Sequence, residues 1–296
     1  QGWLLLGVGG ALGVFLAGNL PTLLIFLIVL SFATWRLTVA VGTPASAKAA
    51  RLFSLAAAGI ALSYLAGLVL MYTGSEAANL EFAAISTVPV VYAKAATVLF
   101  GVTALICAAQ LPFLGLIVKA ASADAPANAF VHSAGIVTAG AYLIARIAIE
   151  NPDSLGWIAP GVAVIGVASM LIAMIMMLFA ADLKEGLMLA LAAHVGMVVT
   201  ALSIAMSGSA DAFAGSVLQI ITPVTGMALM FMSVGIAIRM TGKRRIADIS
   251  GLGRVAPYSA LGYFVGAFVV AGLPPFAGFW GKLLVLSSGI RIGGFG

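Results

Sequence analysis

Three side chains in this sequence place an ionisable group deep in an apolar run: His132, His194 and Lys282. Inside a membrane such a group costs about 2.5–3.5 kcal/mol on insertion scales, so it is a functional candidate by default. The ordinary pKa of histidine lies nearest neutrality, which suits His132 to a proton relay or a gate. The competing reading is a neutral histidine hydrogen-bonded between helices. His194, with Ala192, Ala193 and Gly196 around it, fits that bland reading better. Lys282 can relay protons if it is buried, and otherwise reaches the membrane surface. Arg36 and Lys94 lie near the ends of their apolar runs, where long side chains snorkel to the interface. Cys107 reads as an inert buried hydrophobe. Met170, Met174, Met176 and Met177 read as packing or lipid-facing residues.

No enzyme signature accompanies them. The sequence has no phosphate loop, nucleophile elbow, paired carboxylates or dinucleotide fingerprint. It therefore offers no catalytic residue and calls for no cofactor. A single cysteine rules out a disulfide within the chain, and no Cys/His cluster has metal-ligand spacing. The net charge of +5 comes from Lys and Arg in short segments between apolar runs, with no aromatic-interleaved basic face, so nucleic acid is not an expected partner.

The elements that must hold these residues are membrane helices. Hydrophobic residues make up 63% and charged residues 8% of the 296 positions, where a soluble domain carries about 25% charged residues. So few charges cannot cover a water-facing surface, so most of the surface meets lipid or other helices. A spanning helix needs about 20 apolar residues. The runs fall at 3–16, 20–41, 51–72, 91–110, 127–149, 155–181, 183–206, 213–240 and 256–272, with shorter pieces at 113–121 and 276–290. The expected fold is all-α: a polytopic bundle of roughly nine or ten transmembrane helices.

Each short piece follows a proline break. Ala109-Gln110-Leu111-Pro112-Phe113-Leu114-Gly115 reads against Ala271-Gly272-Leu273-Pro274-Pro275-Phe276-Ala277-Gly278. Proline removes a backbone donor and clashes with the preceding turn, so each pair of pieces is expected to be one discontinuous helix. Two interrupted helices in corresponding places point to an internal repeat with a site at the breaks; two ordinary kinks are the alternative. Counting each pair as one span, one side receives Lys48, Arg51, Lys119, Lys184, Arg239, Lys243, Arg244, Arg245 and Arg254. The other receives Lys94, Arg146 and Arg291, with Glu76, Glu81, Glu150, Asp153 and Asp211. That bias makes the first side, including the segment 241–255, cytoplasmic.

At the breaks the sequence resembles a known family. Gln110-Leu111-Pro112-Phe113 and the stretch Ala125-Pro126-Ala127-Asn128-Ala129-Phe130-Val131-His132-Ser133-Ala134-Gly135, continuing to Arg146, are similar to the antiporter-like subunits of respiratory complex I. The same family includes subunits of Mrp cation/proton antiporters, membrane-bound hydrogenases and an inorganic-carbon transporter. Asn19-Leu20, Asp182-Leu183-Lys184 and Ala271-Gly272-Leu273-Pro274-Pro275-Phe276-Ala277-Gly278-Phe279-Trp280-Gly281-Lys282 match in order. The resemblance implies two inverted five-helix repeats, each with a broken helix. Residues 1–150 would form the first, as family helices 4–8, and 151–296 a second that is cut short. Three helices would precede Gln1 and more would follow Gly296. The expected setting is a multi-subunit complex in a prokaryotic inner membrane, with other membrane subunits and the lipid bilayer as partners.

The departures are physical. The resemblance implies a glutamate where gapless register puts Ile28, a lysine at Cys107, and a histidine and a lysine at Pro223 and Met227, with Gln219 where another histidine can stand. Leu116 replaces a tryptophan after the first break. Of the implied relay, His132 and Lys282 remain. Isoleucine, methionine and proline cannot exchange protons, so an ion path must run through water and His132, or the subunit has kept only the scaffold. The reading is an antiporter-like subunit that moves protons or cations. Its alternatives are a non-pumping scaffold that anchors a catalytic or carrier partner, as in an inorganic-carbon uptake complex, and a lone secondary transporter. Any enzymatic role would belong to a redox-driven translocase of which this chain is one subunit.

Overall fold

The computed structural model describes residues 1–40, 42–75, 80–116, 124–151 and 155–292. Lys119, Glu76 and Asp153, used in the charge count, and most of the piece 113–121 lie outside these residues. The described chain is a helical bundle. Its helices are α1 (Gly2–Leu16), α2 (Leu20–Val39), α3 (Pro44–Gly74), α4 (Val90–Cys107), α5 (Ile136–Glu150), α6 (Ala159–Leu178), α7 (Leu183–Met206), α8 (Ala210–Thr241), α9 (Pro257–Ala271) and α10 (Ala277–Ile292). Seven spans, from 20–39 to 210–241, are long and apolar enough to cross a membrane, and α1 and α9 are shorter apolar helices. The chain is an integral membrane protein, as its composition requires.

Helix starts follow from local chemistry. Asn19 accepts the Thr22 N–H at 2.9 Å and Pro21 sits in the first turn of α2. Thr43 and Ser46 form a reciprocal capping box that starts α3 at Pro44, seven residues before the hydrophobic run suggests. Asp182 accepts from Lys184 N and Glu185 N to open α7. The run 127–149 is not one straight helix. A short helical turn, Ala125–Ala129, leads into a π turn, Phe130–Ala134, and α5 begins only after Gly135. Single π turns mark functional positions in helices, and this one contains His132. The segment after α8 is not all loop either, since Ile246–Asp248 and Leu252–Val255 are short helical turns.

Inside a bilayer helices attract each other through close packing, so small residues gather where backbones meet. A Cβ on Gly166 would lie 2.8 Å from Gly196 O, and one on Gly196 would lie 2.8 Å from Gly166 O, so α6 and α7 touch backbone to backbone. A Cβ on Gly140 would lie 2.6 Å from Ala104 O and Ala108 N, which seats α5 on the last turn of α4. The outward side is apolar: Met174, Met176, Met177, Leu178 and Phe179 of the α6 region are exposed, as expected of lipid-facing residues.

One device occurs twice. Leu20 N donates to Leu80 O at 2.9 Å, joining the start of α2 to the segment after α3. Leu183 N donates to Arg244 O at 3.0 Å, joining the start of α7 to the segment after α8. The isolated bridges Asn19↔Glu81 and Asp182↔Arg245 mark the same two places. Leu37 and Ala40, at the end of α2, line the same cavity as Lys184 at the start of α7. The two equivalent helices therefore run in opposite directions, which is the geometry of an inverted repeat.

Candidate functional site

The two proline breaks share one backbone trace. At the first, α4 ends at Cys107; Gln110 N donates to Leu105 O at 3.0 Å and Phe113 N to Gln110 O at 2.6 Å. At the second, α9 ends at Ala271; Leu273 N donates to Phe268 O at 3.1 Å and Phe276 N to Leu273 O at 3.0 Å. The residue between has positive φ in both, Ala109 at 49° and Gly272 at 76°. The bonds Leu111–Pro112 and Pro274–Pro275 are both cis. The hydrogen-bond register pairs Pro112 with Pro275 and leaves Pro274 as the extra proline.

Side chains make the breaks different. At the first, the Leu111 N–H donates to Ser169 Oγ of α6 at 3.0 Å. Gln110, fully buried, donates from Nε2 to Ala108 O at 3.0 Å and to Ala192 O of α7 at 3.4 Å, while its Oε1 has no partner. Beside this break lies a cavity of about 30 Å³, lined by Ser31, Thr34, Cys107, Leu116, His132 and apolar neighbours. About 10–15 Å³ holds one water where polar partners exist. The lining is mostly apolar, and two of its residues carry buried atoms without a partner, His132 Nδ1 and Ser31 Oγ. The His132 ring also faces Phe231, with centroids 6.0 Å apart. His132 and Cys107 thus line one cavity beside the first break.

At the second break most polar groups have partners, although Gln219 Oε1, like Gln110 Oε1 at the first, has none. Lys282 donates from Nζ to Val270 O at 2.9 Å and Ala271 O at 2.7 Å, the last carbonyls of α9. A cation at a helix C-terminus is favourably placed. Gln219 donates from Nε2 to Gly278 O at 2.7 Å. His194 Nε2 lies 2.8 Å from Gln219 O, the interhelical bond that its apolar surroundings suggest.

The positions that differ from the resemblance scatter. Ile28 is 47% exposed, on the outside of α2, whereas Ser31 and Thr34 face inward. Cys107 and Met227 are buried, and Pro223 lies inside α8. Arg36 stacks its guanidinium 4.6 Å from the Trp3 ring, and the Lys94 ammonium lies 5.3 Å from Trp157. Both cations thus sit on aromatic faces near helix ends. Sequence reasoning passed over Ser31, Ser169 and Gln110 as site residues, because a lone hydroxyl or amide has no sequence signature. The breaks gave a partial signal: they free backbone groups that some buried polar side chain must satisfy. Among the described residues no group of three or more His, Cys, Asp or Glu side chains could hold a metal.

A family model described as NADH:quinone oxidoreductase/Mrp antiporter, TM, matches residues 14–295. A protein named Na(+)/H(+) antiporter subunit A1 from Staphylococcus saprophyticus subsp. saprophyticus is 29% identical over 98% of this chain and 38% of its own length. Its namesake from Staphylococcus haemolyticus is also 29% identical, over 98% of this chain and 38% of its own length. The chain thus spans well under half the length of these relatives. Among solved structures, a chain of the Mrp complex from Dietzia sp. DQ12-45-1b superposes with a TM-score of 0.86 at 24% identity, covering 96% of this chain and 31% of that one. A chain of the membrane-bound sulfane sulfur reductase, an archaeal respiratory membrane complex, superposes with a TM-score of 0.85 at 20% identity, over 96% of this chain and 58% of its own. These two likenesses establish the fold.

Proposed function

This chain belongs to the NADH:quinone oxidoreductase/Mrp antiporter transmembrane family, and we propose that it is an antiporter-like subunit that moves protons or cations within a multi-subunit membrane complex. The observation that carries this reading is the cavity at the first break. His132, in the π turn, lines a small space with room for a water beside the first break, and its Nδ1 has no protein partner. A proton crossing an apolar interior needs a group that gains and loses charge, or a water between such groups. His132 is the group placed to do so, because Cys107, Ile28 and Met227 carry no charge and the other remaining member, Lys282, has its ammonium on the end carbonyls of α9. Lys282 serves by holding the second break and His194 by packing helices.

The reading extends to organisation. Residues 1–150 form one repeat and 151–296 the other, with α2 answering α7 and α4 answering α9. The side bearing Lys184, Arg239 and Arg244 faces the cytoplasm of a prokaryotic cell. The names of the relatives point to exchange of sodium for protons within a set of antiporter subunits. The experiment is purification of the full-length protein in mild detergent with its partners, followed by sodium-driven proton movement in reconstituted vesicles. Co-purifying membrane subunits and sodium-dependent alkalinisation of the lumen support the proposal. Complete assembly with no ion movement overturns it in favour of a scaffold.

A further inference from the structure

Helix α8 carries a defect written into its sequence. Pro223 lies in its interior, and a proline has no N–H to offer the carbonyl four residues earlier. That carbonyl belongs to Gln219. In a lipid-surrounded bundle a freed carbonyl must find a partner from a neighbouring element, and His194 of α7 supplies it, with Nε2 2.8 Å from Gln219 O. A carbonyl oxygen only accepts, so the imidazole proton sits on Nε2. The Gln219 side chain goes the other way, donating from Nε2 to Gly278 O at 2.7 Å in the first turn after the second break, while its Oε1 has no partner. It has no free space to leave, since a Cβ on Gly281 would already stand 2.5 Å from its Nε2. His194 and Gln219 are both buried. One residue of α8 thus connects α7 through its backbone and α10 through its side chain.

We propose that Pro223, His194 and Gln219 form a built tie that fixes the second break against α7 and α8, with His194 as a positioning residue whose proton is committed to the helix. The proline and the histidine are a matched pair: the first opens the carbonyl and the second closes it. The tie seats Gly278, and Lys282 stands one turn further along α10 with its ammonium on the ends of α9. The second break is thereby held as a rigid anchor.

The test is a double-mutant cycle in the full-length protein within its complex. His194→Leu should lower the melting midpoint by about 2–4 °C, the size expected for one buried hydrogen bond in a large domain. Pro223→Ala restores the missing N–H, so His194→Leu made on that background should lose less than half as much. His194→Gln keeps a donor and should retain both the midpoint and the pH profile of sodium-driven proton exchange. If His194→Leu blocks assembly, recovery of assembled complex on adding Pro223→Ala supports the tie, and failure in both backgrounds overturns it. Equal losses with proline or alanine at 223 also overturn it, as does a His194→Gln complex that melts normally but no longer exchanges ions. The melting cycle needs no ion movement, so a complex that exchanges nothing refutes the proposed function and still decides the tie.

Discussion

The first and second breaks share a backbone, position for position, yet the first stands open beside a cavity lined by His132 and the second is closed by Lys282 across the end carbonyls of α9. At Pro112 three buried side-chain atoms, Gln110 Oε1, His132 Nδ1 and Ser31 Oγ, are without partners, whereas around Pro275 only Gln219 Oε1 is so among the described residues. At Pro275 the ammonium of Lys282 takes two carbonyls and Gln219 and His194 lock together. The difference teaches that proline breaks are scaffolds whose purpose is set by the side chains brought to them. A buried polar atom without a protein partner invites water. One with a partner is already committed, and its neighbourhood is held in place.

The largest effect should come from the residue with positive φ. Gly272→Ala forces a Cβ into the left-handed region and to within 3.0 Å of Gly278 O and of the Lys282 side chain. It should cost about 3 kcal/mol, summing backbone strain and overpacking. Thermal melting of the complex would register the loss, and a silent Gly272→Ala would mean the closed break is not rigid. Next comes Ser169→Ala, which leaves the Leu111 N–H beside the first break without its acceptor. A loss of about 1–3 kcal/mol is expected on the same assay, and no loss would show that water substitutes for the hydroxyl. The mirror change, Ala109→Gly, should stabilise by about 0.5–1 kcal/mol, because the relief of the left-handed strain exceeds the added chain entropy of glycine. Destabilisation would separate the two breaks after all. Cys107→Ser should be nearly silent in melting and in ion exchange, since the thiol lines the cavity without a hydrogen bond that the reading requires. A strong loss of exchange there would move the path away from His132.

Much of this was legible before any coordinates. Helix order, the two breaks and their alignment followed from apolar run lengths and from Pro112, Pro274 and Pro275. Those signals are strong because a bilayer permits few alternatives. The start of α3 at Pro44 was missed because Thr43–Ser46 capping draws a helix out past its hydrophobic stretch. The π turn at His132 was missed because one extra residue in a turn leaves no mark in composition. The bond from His194 to Gln219 was foreseen in kind, as an interhelical bond, but not in partner. Its cause, the missing N–H of Pro223, is written in the sequence four residues away from the carbonyl it frees. Gln110 and Ser169 were invisible as site residues, because which buried carbonyl or amide they meet depends on helices far apart in the chain.

The central claim is that ions pass at the open break, through His132, while the closed break anchors. The most direct measurement is sodium-driven proton exchange by the full complex in vesicles, comparing His132→Gln with the unaltered protein at equal assembly. Glutamine keeps hydrogen bonding in the cavity but cannot gain and lose a proton. The account predicts that the complex assembles, that its melting midpoint holds, and that exchange falls at least tenfold. Unchanged exchange in an assembled His132→Gln complex would contradict it and leave His132 as a packing residue.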